Sequence, residues 1–282
     1  QERGRVRSSR KASGATVRIL LAASSKFHAF HLASQLDRRG HLGLFLTTYY
    51  SQASGLLWKW VGRKDAEAIT PARVRIMPWV EASRVLDRMP RAAKKALRMD
   101  YTDFWYFPRH LLFDLWVSRF VDRTFDLIVG WAEHSLFTMR RAKRLGIPFV
   151  LYSGTAHNGY RWPLLEEEFA KWGSDYRLPP QVLARSLKEY ASAEHLSVVS
   201  SYARRTFVER DFANDRIIRV VPGVDASRFR PHPKSDSVFR LVYAGLIRAG
   251  KGLPYLLEDF IGNSLVFNWL KHSDRSQLLA KR

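Results

Sequence analysis

Cysteine is absent from all 282 residues of the sequence. Disulfides, zinc–thiolate sites, iron–sulfur clusters and cysteine nucleophiles are therefore excluded as features of this chain. The absence also permits a reducing compartment, and the cytoplasm is the expected location. Long apolar runs are missing too. The longest uncharged stretch, residues 42–58, is interrupted by threonine, serine and glutamine, whereas a membrane span needs about 20 mainly apolar residues.

Acidic residues are scarce, because 26 Asp and Glu stand against 47 Lys and Arg, for a formal net charge of +21. Such a surplus favours an anionic partner, such as a phosphorylated ligand, a membrane surface or a nucleic acid. The first 15 residues are basic and serine-rich and are interpreted as a disordered tail, but most of the cations lie beyond it. No recognised nucleic-acid-binding motif occurs, so nucleic acid is not an expected partner.

Short apolar runs alternate with segments of helical periodicity, which predicts βαβ units and an α/β fold with a Rossmann-like parallel sheet. Strands are predicted over residues 17–23, 42–48, 74–77, 125–130, 148–152, 196–199, 217–221 and 239–244. Helices are predicted over residues 27–39, 81–123 with a break at Pro90, 135–145, 162–172, 181–193, 202–210 and 253–260. Gly40 and Gly146 follow two of these helices and are expected to end them.

Prolines and polar residues between 222 and 237 cannot continue a helix or a central strand, which indicates a linker. The predicted organisation is a basic tail (1–15), an N-terminal Rossmann-like domain (16–221), a linker (222–237) and a C-terminal unit (238–282). Because only 45 residues follow Ser237, too few for a doubly wound domain of ordinary size, the C-terminal unit is expected to be incomplete.

A glycine-rich loop, Gly245 to Gly252, follows a predicted strand and precedes a predicted helix. Its spacing matches the first part of a Walker A loop, but Gly252 stands where Mg²⁺ coordination requires serine or threonine. The remaining prediction is a general anion site, in which backbone N–H groups, Arg248 and Lys251 bind phosphate oxygens. A tight turn carrying surface cations is the alternative.

The loop belongs to a longer series of motifs in a fixed order, which comprises residues 191–200, Phe207, residues 218–225 with Pro222-Gly223-Val224-Asp225 at their end, Phe229, Pro231, residues 239–245, Lys251-Gly252 and residues 255–257. In this order and spacing the chain resembles the retaining GT-B glycosyltransferases of the large group 1 family, GT4. The resemblance extends more weakly to Ser24-Ser25, residues 39–41 and residues 146–148, and it covers about residues 17–260.

The resemblance implies transfer of a hexose from a nucleotide diphosphate sugar to an acceptor hydroxyl with retention of configuration. It assigns the donor diphosphate to Gly245, Lys251 and Gly252, with no other cofactor, and Arg248 is the expected substitute for the arginine that many members carry directly after the first glycine. The N-terminal domain would bind a glycan, glycoside or lipid-linked acceptor, as in polysaccharide biosynthesis, with Ser24, Ser25 and His28 in its first loop.

Two histidines are the candidate catalytic residues. His134 and His157 each follow a predicted strand, which puts both at the carboxyl edge of the sheet, where open α/β folds bind ligands. The resemblance places the acceptor-side and catalytic-region histidines of the family near these two. The alternative is that both are satisfied structural histidines.

Two departures from the family pattern qualify this prediction. Leu246 stands where many members carry arginine, and the Glu-x7-Glu element that contacts the donor does not follow Phe260. The C-terminal domain is therefore expected to be truncated and transfer by this chain to be very weak. The alternative function is a non-catalytic remnant that binds an acceptor or an anionic membrane surface.

Metal independence is expected, because the sequence contains no Asp-x-Asp motif and no His/Glu cluster with zinc spacing. Residues 84–98 carry six basic residues against one acidic residue, Asp87. This stretch is interpreted either as a solvated helical face or as an interfacial helix on anionic lipid. The second interpretation implies that the protein associates peripherally with the inner face of the membrane.

Overall fold

The computed structural model describes residues 16–24, 28–50, 68–82, 106–173, 177–224, 233, 235–239, 241–245 and 249–262. These residues form the strands β1 (Ile19–Ala23), β2 (Leu42–Thr47), β3 (Val74–Ile76), β4 (Leu127–Trp131), β5 (Phe149–Ser153), β6 (His195–Val198) and β7 (Ile217–Arg219). They also form the α-helices α1 (Ala29–Arg38), α2 (Pro78–Ala82), α3 (Tyr106–Ser118), α4 (Leu136–Leu145), α5 (Asn158–Lys171), α6 (Pro180–Ser192), α7 (Ser201–Val208) and α8 (Leu253–Gly262).

The strands form one parallel sheet in the order β3-β2-β1-β4-β5-β6-β7. The prediction of an α/β fold with a Rossmann-like parallel sheet is therefore confirmed. From β1 the chain builds outward through β2 and β3, and it then crosses back to add β4 on the other side of β1. Such a reversal leaves a crevice outside the carboxyl ends of the two central strands.

Both faces of the sheet are buried. Along β1, Leu20 and Ala22 join one core cluster, whereas Leu21 and Ala23 join the other, because successive side chains of a strand point to opposite faces. Residues of α3, α4, α6 and α7 join the first cluster, and residues of α1 join the second. Burial on both faces explains why these strands occur in the sequence as continuous apolar runs.

Glycines end two helices, as predicted. Gly40 follows α1 with φ +74°, and its N–H donates to the Asp37 carbonyl at 3.0 Å. The His41 N–H donates to the Leu36 carbonyl at 2.8 Å, which completes a Schellman motif. Gly146 ends α4 with φ +68°. In both places the left-handed backbone favours glycine over residues with a side chain.

The predicted strand over residues 239–244 is wrong, because residues 239 and 241–244, the described part of that stretch, form no strand. Phe239 and Val242 are 78% and 83% exposed. A strand is stable when it pairs and packs with neighbours, which an apolar composition does not guarantee. The tail 1–15 and the basic stretch 84–98 lie outside the described residues.

Contacts divide the chain into two units, Gln1–Pro163 with Arg177–Arg230, and Leu164–Tyr176 with Pro231–Arg282. The first unit contains the sheet. In the second, the Tyr255 hydroxyl of α8 donates to Oε2 of Glu168 at 2.6 Å, and the Tyr255 ring packs against Trp172. The domain boundaries drawn from the sequence stay a prediction.

Candidate functional site

The loops that follow β1 and β4 meet at the crevice where the strand order reverses, which we call the switch point. Ser24 directly follows β1, and residues 132–135 connect β4 to α4. The Ser24 N–H donates to Nε2 of His134 at 3.3 Å, while the Ser24 carbonyl accepts from the Thr48 hydroxyl at 2.8 Å. The structure thus brings together two of the predicted site residues, Ser24 and His134.

His134 is a neutral histidine in this position. Its side chain is buried against Phe113 and His110. Burial, helped by the positive charge of Arg185, lowers the pKa of His134 to about 3. Since Nε2 accepts a hydrogen bond, the neutral ring carries its proton on Nδ1, which has no hydrogen-bond partner in the described part of the chain. Its catalytic role stays a prediction.

His157 precedes α5 and caps its first turn. Its Nδ1 accepts the Gly159 N–H at 3.1 Å, and its carbonyl accepts the N–H groups of Tyr160 and Arg161 at 2.9 Å. These bonds explain why α5 begins at Asn158, four residues before the predicted start. Burial, followed by the charge of Arg210, lowers the pKa of His157 to about 4.

The remaining predicted residues lie in different settings. His28 is exposed and precedes α1, where its carbonyl accepts the Leu32 N–H at 3.0 Å. Ser25 lies outside the described residues, as does Arg248 of the predicted donor loop. Lys251 is exposed at the end of a 3-10 helix, and Gly252 follows it with φ +70° immediately before α8.

Glu133, next to His134, was not identified from the sequence. Its φ is +80°, in the left-handed region that costs a residue with a side chain about 1–3 kcal/mol. Its carboxylate accepts hydrogen bonds from the Tyr106 hydroxyl and, at 2.9 Å, from Nδ2 of Asn158. Nη2 of Arg161 lies 3.8 Å from its Oε1. Glu133 therefore combines a strained backbone with a carboxylate beside the switch point, which makes it a candidate functional residue.

Two buried residues of α6, Arg185 and Glu189, hold the backbone of this loop, and we call them the α6 clamp. The Glu189 carboxylate accepts the N–H groups of Glu133 and, at 2.8 Å, of Ser135. Nε of Arg185 donates to the Glu133 carbonyl at 3.2 Å. Because both the N–H and the carbonyl of Glu133 are hydrogen-bonded, its left-handed backbone conformation is maintained.

Asp114 of α3 completes the buried charge network. It is fully buried, pairs with Arg185, and accepts the N–H groups of Phe137 and Thr138 at 2.7 and 2.9 Å. It therefore caps the N-terminus of α4, where an anion also interacts favourably with the helix dipole. Burial raises the pKa of Glu189 to about 8, against the opposing effects of the Ser135 N–H and the Arg185 charge.

A sequence signal for the clamp does exist. Buried residues recur along α6 at helical spacing, and the charged residues Arg185 and Glu189 stand on the same stripe as Val182 and Tyr190. Charged residues at apolar positions of an amphipathic helix indicate a buried polar network. By contrast, nothing in the residue type of Glu133 indicates its left-handed backbone.

Within the described residues, no group of three or more His, Asp or Glu side chains is arranged to bind a metal ion. In the same part of the chain, every helix is too short or too polar to cross a bilayer.

Comparison with known proteins finds no matching protein-family model. The curated proteins likewise contain no match. Among solved structures, Anabaena HepE in complex with UDP and glucose has 12% identity and a TM-score of 0.43, over 77% of this chain and 47% of that chain. The UDP-GlcNAc 2-epimerase from Methanocaldococcus jannaschii has 8% identity and a TM-score of 0.39, over 73% and 45%.

A third similar structure is Phytolacca americana UGT2 with UDP-2fluoro-glucose and pterostilbene, at 15% identity and a TM-score of 0.40, over 75% of this chain and 55% of that chain. The chain spans about half the length of these three proteins. Likeness at this level does not assign the chain to a family.

Proposed function

We propose that the chain is a GT4-type glycosyltransferase, which transfers a hexose from a nucleotide diphosphate sugar to an acceptor hydroxyl with retention of configuration. The contact between Ser24 and His134 carries the proposal. The family resemblance includes the first loop and the histidine region after β4, and the fold joins these residues, 110 positions apart, by a hydrogen bond. They meet where open parallel sheets bind ligands.

On the donor side, Lys251 and Arg248 would stabilise the departing diphosphate, on which negative charge develops during transfer. Gly245 and Gly252 would let the backbone approach the phosphates, because neither carries a side chain. Gly252 has the left-handed φ of +70° that suits this role. Neither a metal ion nor an organic cofactor is part of the proposal.

On the acceptor side, His134 and His157 would line the cleft, with His134 held by its hydrogen bond to Ser24. Their pKa values, lowered to about 3 and 4, keep both rings neutral near pH 7. A group with such a pKa is a poor proton acceptor at that pH. The acceptor would be a glycan, glycoside or lipid-linked sugar.

Calorimetric titration with UDP, GDP and dTDP tests the donor side. We expect at least one nucleotide to bind, and Lys251→Ala to weaken its affinity about tenfold, or about 1.4 kcal/mol, because a phosphate loses one charged partner. Lys188→Ala is the matched control, since Lys188 is an exposed lysine of α6 in the other unit. Equal affinities for wild type and Lys251→Ala would remove the donor assignment.

A transfer assay tests the reaction itself, with UDP-, GDP- and dTDP-sugars as donors and polyprenol-linked and simple glycosides as acceptors. Because the C-terminal domain is expected to be truncated, the proposal expects only a small amount of product, whose anomeric configuration matches that of the donor. The absence of a strand from the described residues 239 and 241–244 favours a second candidate, a non-catalytic acceptor-binding protein. Acceptor binding without transfer from any of these donors would support that candidate.

A further inference from the structure

Glu133 and Arg161 form an ion pair with unused hydrogen-bonding capacity. The 3.8 Å between Nη2 of Arg161 and Oε1 of Glu133 exceeds hydrogen-bond distance. Nε of Arg161 is buried and has no hydrogen-bond partner within the described residues. The two side chains are 26% and 15% exposed, so solvent reaches both.

Asn158 adds a second unsatisfied group beside the same carboxylate. It is 1% exposed, and its Nδ2 donates to Glu133 and, at 2.8 Å, to Oγ of Ser186. Its Oδ1 is buried and lacks a partner in the described part of the chain. Buried polar atoms are rarely left unpaired, which indicates that water or a ligand completes this cluster.

We propose that Glu133 and Arg161 bind two adjacent hydroxyl groups of a neutral polyhydroxylated ligand, such as a hexose unit. The carboxylate accepts a hydrogen bond from one hydroxyl, and the guanidinium donates to the oxygen of the next. Glu133 repels an anion and Arg161 repels a cation, so the pair favours a neutral ligand. The inference rests on the proposed function only in taking this ligand to be the acceptor.

The α6 clamp gives the carboxylate a fixed place in this site. Arg185 and Glu189 bond the backbone of Glu133 on both sides, while Tyr106 and Asn158 bond its side chain. A ligand therefore meets a carboxylate that is already oriented and does not have to order it on binding.

Saturation-transfer NMR in the absence of nucleotide tests the site, with methyl α-glucopyranoside, methyl α-mannopyranoside and methyl α-galactopyranoside as probes. We expect at least one probe to bind, and Glu133→Gln and Arg161→Ala each to weaken it about tenfold. Glu209→Gln should leave binding unchanged, because Glu209 is an exposed surface residue paired with Arg205. A per-O-methylated glucoside, which has no hydroxyl to donate, should give no signal.

Unchanged affinity in the variants would overturn the proposal, as would the absence of binding by all three probes. If the Glu133→Gln variant does not fold, the affinity of the Arg161→Ala variant decides the test. Sugar binding without any transfer activity would support the site and contradict the proposed reaction. Transfer activity with unaltered acceptor affinity in Glu133→Gln would support the reaction and overturn this site.

Discussion

Buried charges on α6 are satisfied by residues that lie far away in the sequence. Arg185 and Glu189 occupy the face that an amphipathic helix uses for apolar packing, where an unpaired charge is costly. Arg185 pairs with Asp114, 71 positions earlier, and Glu189 accepts two N–H groups from the loop after β4. Helical periodicity places both residues on that face and thereby indicates a buried polar network, but it does not identify their partners, which could not be predicted from the sequence.

Arg185→Leu tests the contribution of this network to stability. The substitution leaves the buried Asp114 carboxylate without its cation, and we expect the free energy of unfolding to fall by about 3–5 kcal/mol. Urea denaturation measures the change. Arg205→Leu is the control, since Arg205 pairs with Glu209 at the exposed surface, and its effect should stay below about 0.5 kcal/mol. Similar losses in both variants would contradict the clamp.

His157 predicts a loss of stability in acid. The unfolded chain protonates this histidine near pH 6.5, whereas the folded protein does so only near its lowered pKa of about 4. Between these values the unfolded state binds the extra proton, so the free energy of unfolding falls as pH decreases, by at most about 1.4 kcal/mol per pH unit.

We expect His157→Asn to reduce the slope of this part of the pH profile, because asparagine can cap α5 but does not titrate. The remaining slope is set by His134, whose pKa is also lowered, and by Glu189, whose raised pKa acts in the opposite direction. Denaturation curves from pH 7 to pH 4 measure the slope. His28→Asn, at an exposed position, should reproduce the wild-type slope. An unchanged slope in His157→Asn would show that another group causes the acid loss.

At the scale of single elements, helix ends were predictable where a local signal exists. Ser135 and Gly146 bound α4 as the sequence indicates, because a helix stop depends on a few consecutive residues. The start of α5 was not predicted, since a histidine is an uncommon cap and Pro163, a residue more usual in the first turn of a helix, lies inside this one. The prediction of a strand over residues 239–244 was wrong for a different reason, because the pairing of a strand depends on residues elsewhere in the chain.

Gly146→Ala tests the helix stop of α4. A Cβ at this position would meet nothing within 4 Å, so the expected loss of about 1–2 kcal/mol comes from the left-handed backbone alone. Gly154→Ala is the matched control, because its Cβ would also have room and its φ is not positive. Thermal unfolding should show a lower midpoint for Gly146→Ala only, and equal midpoints would contradict the cap.

For the whole molecule, alternating periodicity was enough to predict a parallel sheet but not the order of its strands. The apolar runs of β1 and β4 do not show that the two strands are neighbours. The rule that ligands bind at carboxyl edges nevertheless selected His134, and the family resemblance selected Ser24, and these two residues do meet. The left-handed Glu133 depends on the clamp around it and was therefore not predictable.

The excess positive charge predicts binding to anionic membranes, with residues 84–98 as the contact. Sedimentation with phosphatidylserine vesicles should occur at low salt and be lost in about 0.5 M salt, because screening weakens surface electrostatics. Reversing Arg91, Lys94 and Lys95 to glutamate should abolish it. The same reversal at the exposed Arg140, Lys143 and Arg144 of α4 changes net charge equally and should have a smaller effect. Equal effects would contradict the assignment to 84–98.

The pairing of β1 with β4 also determines when the sheet can form during synthesis of the chain. Ile19 pairs with Leu127, so at a translation rate of about 5–20 residues per second the first strand waits roughly 5–20 s for its neighbour to be made. Throughout that interval β1 has β2 on one side only, and its other edge can pair with a foreign strand. The ribosome-bound chain should therefore depend on chaperones most strongly before β4 emerges.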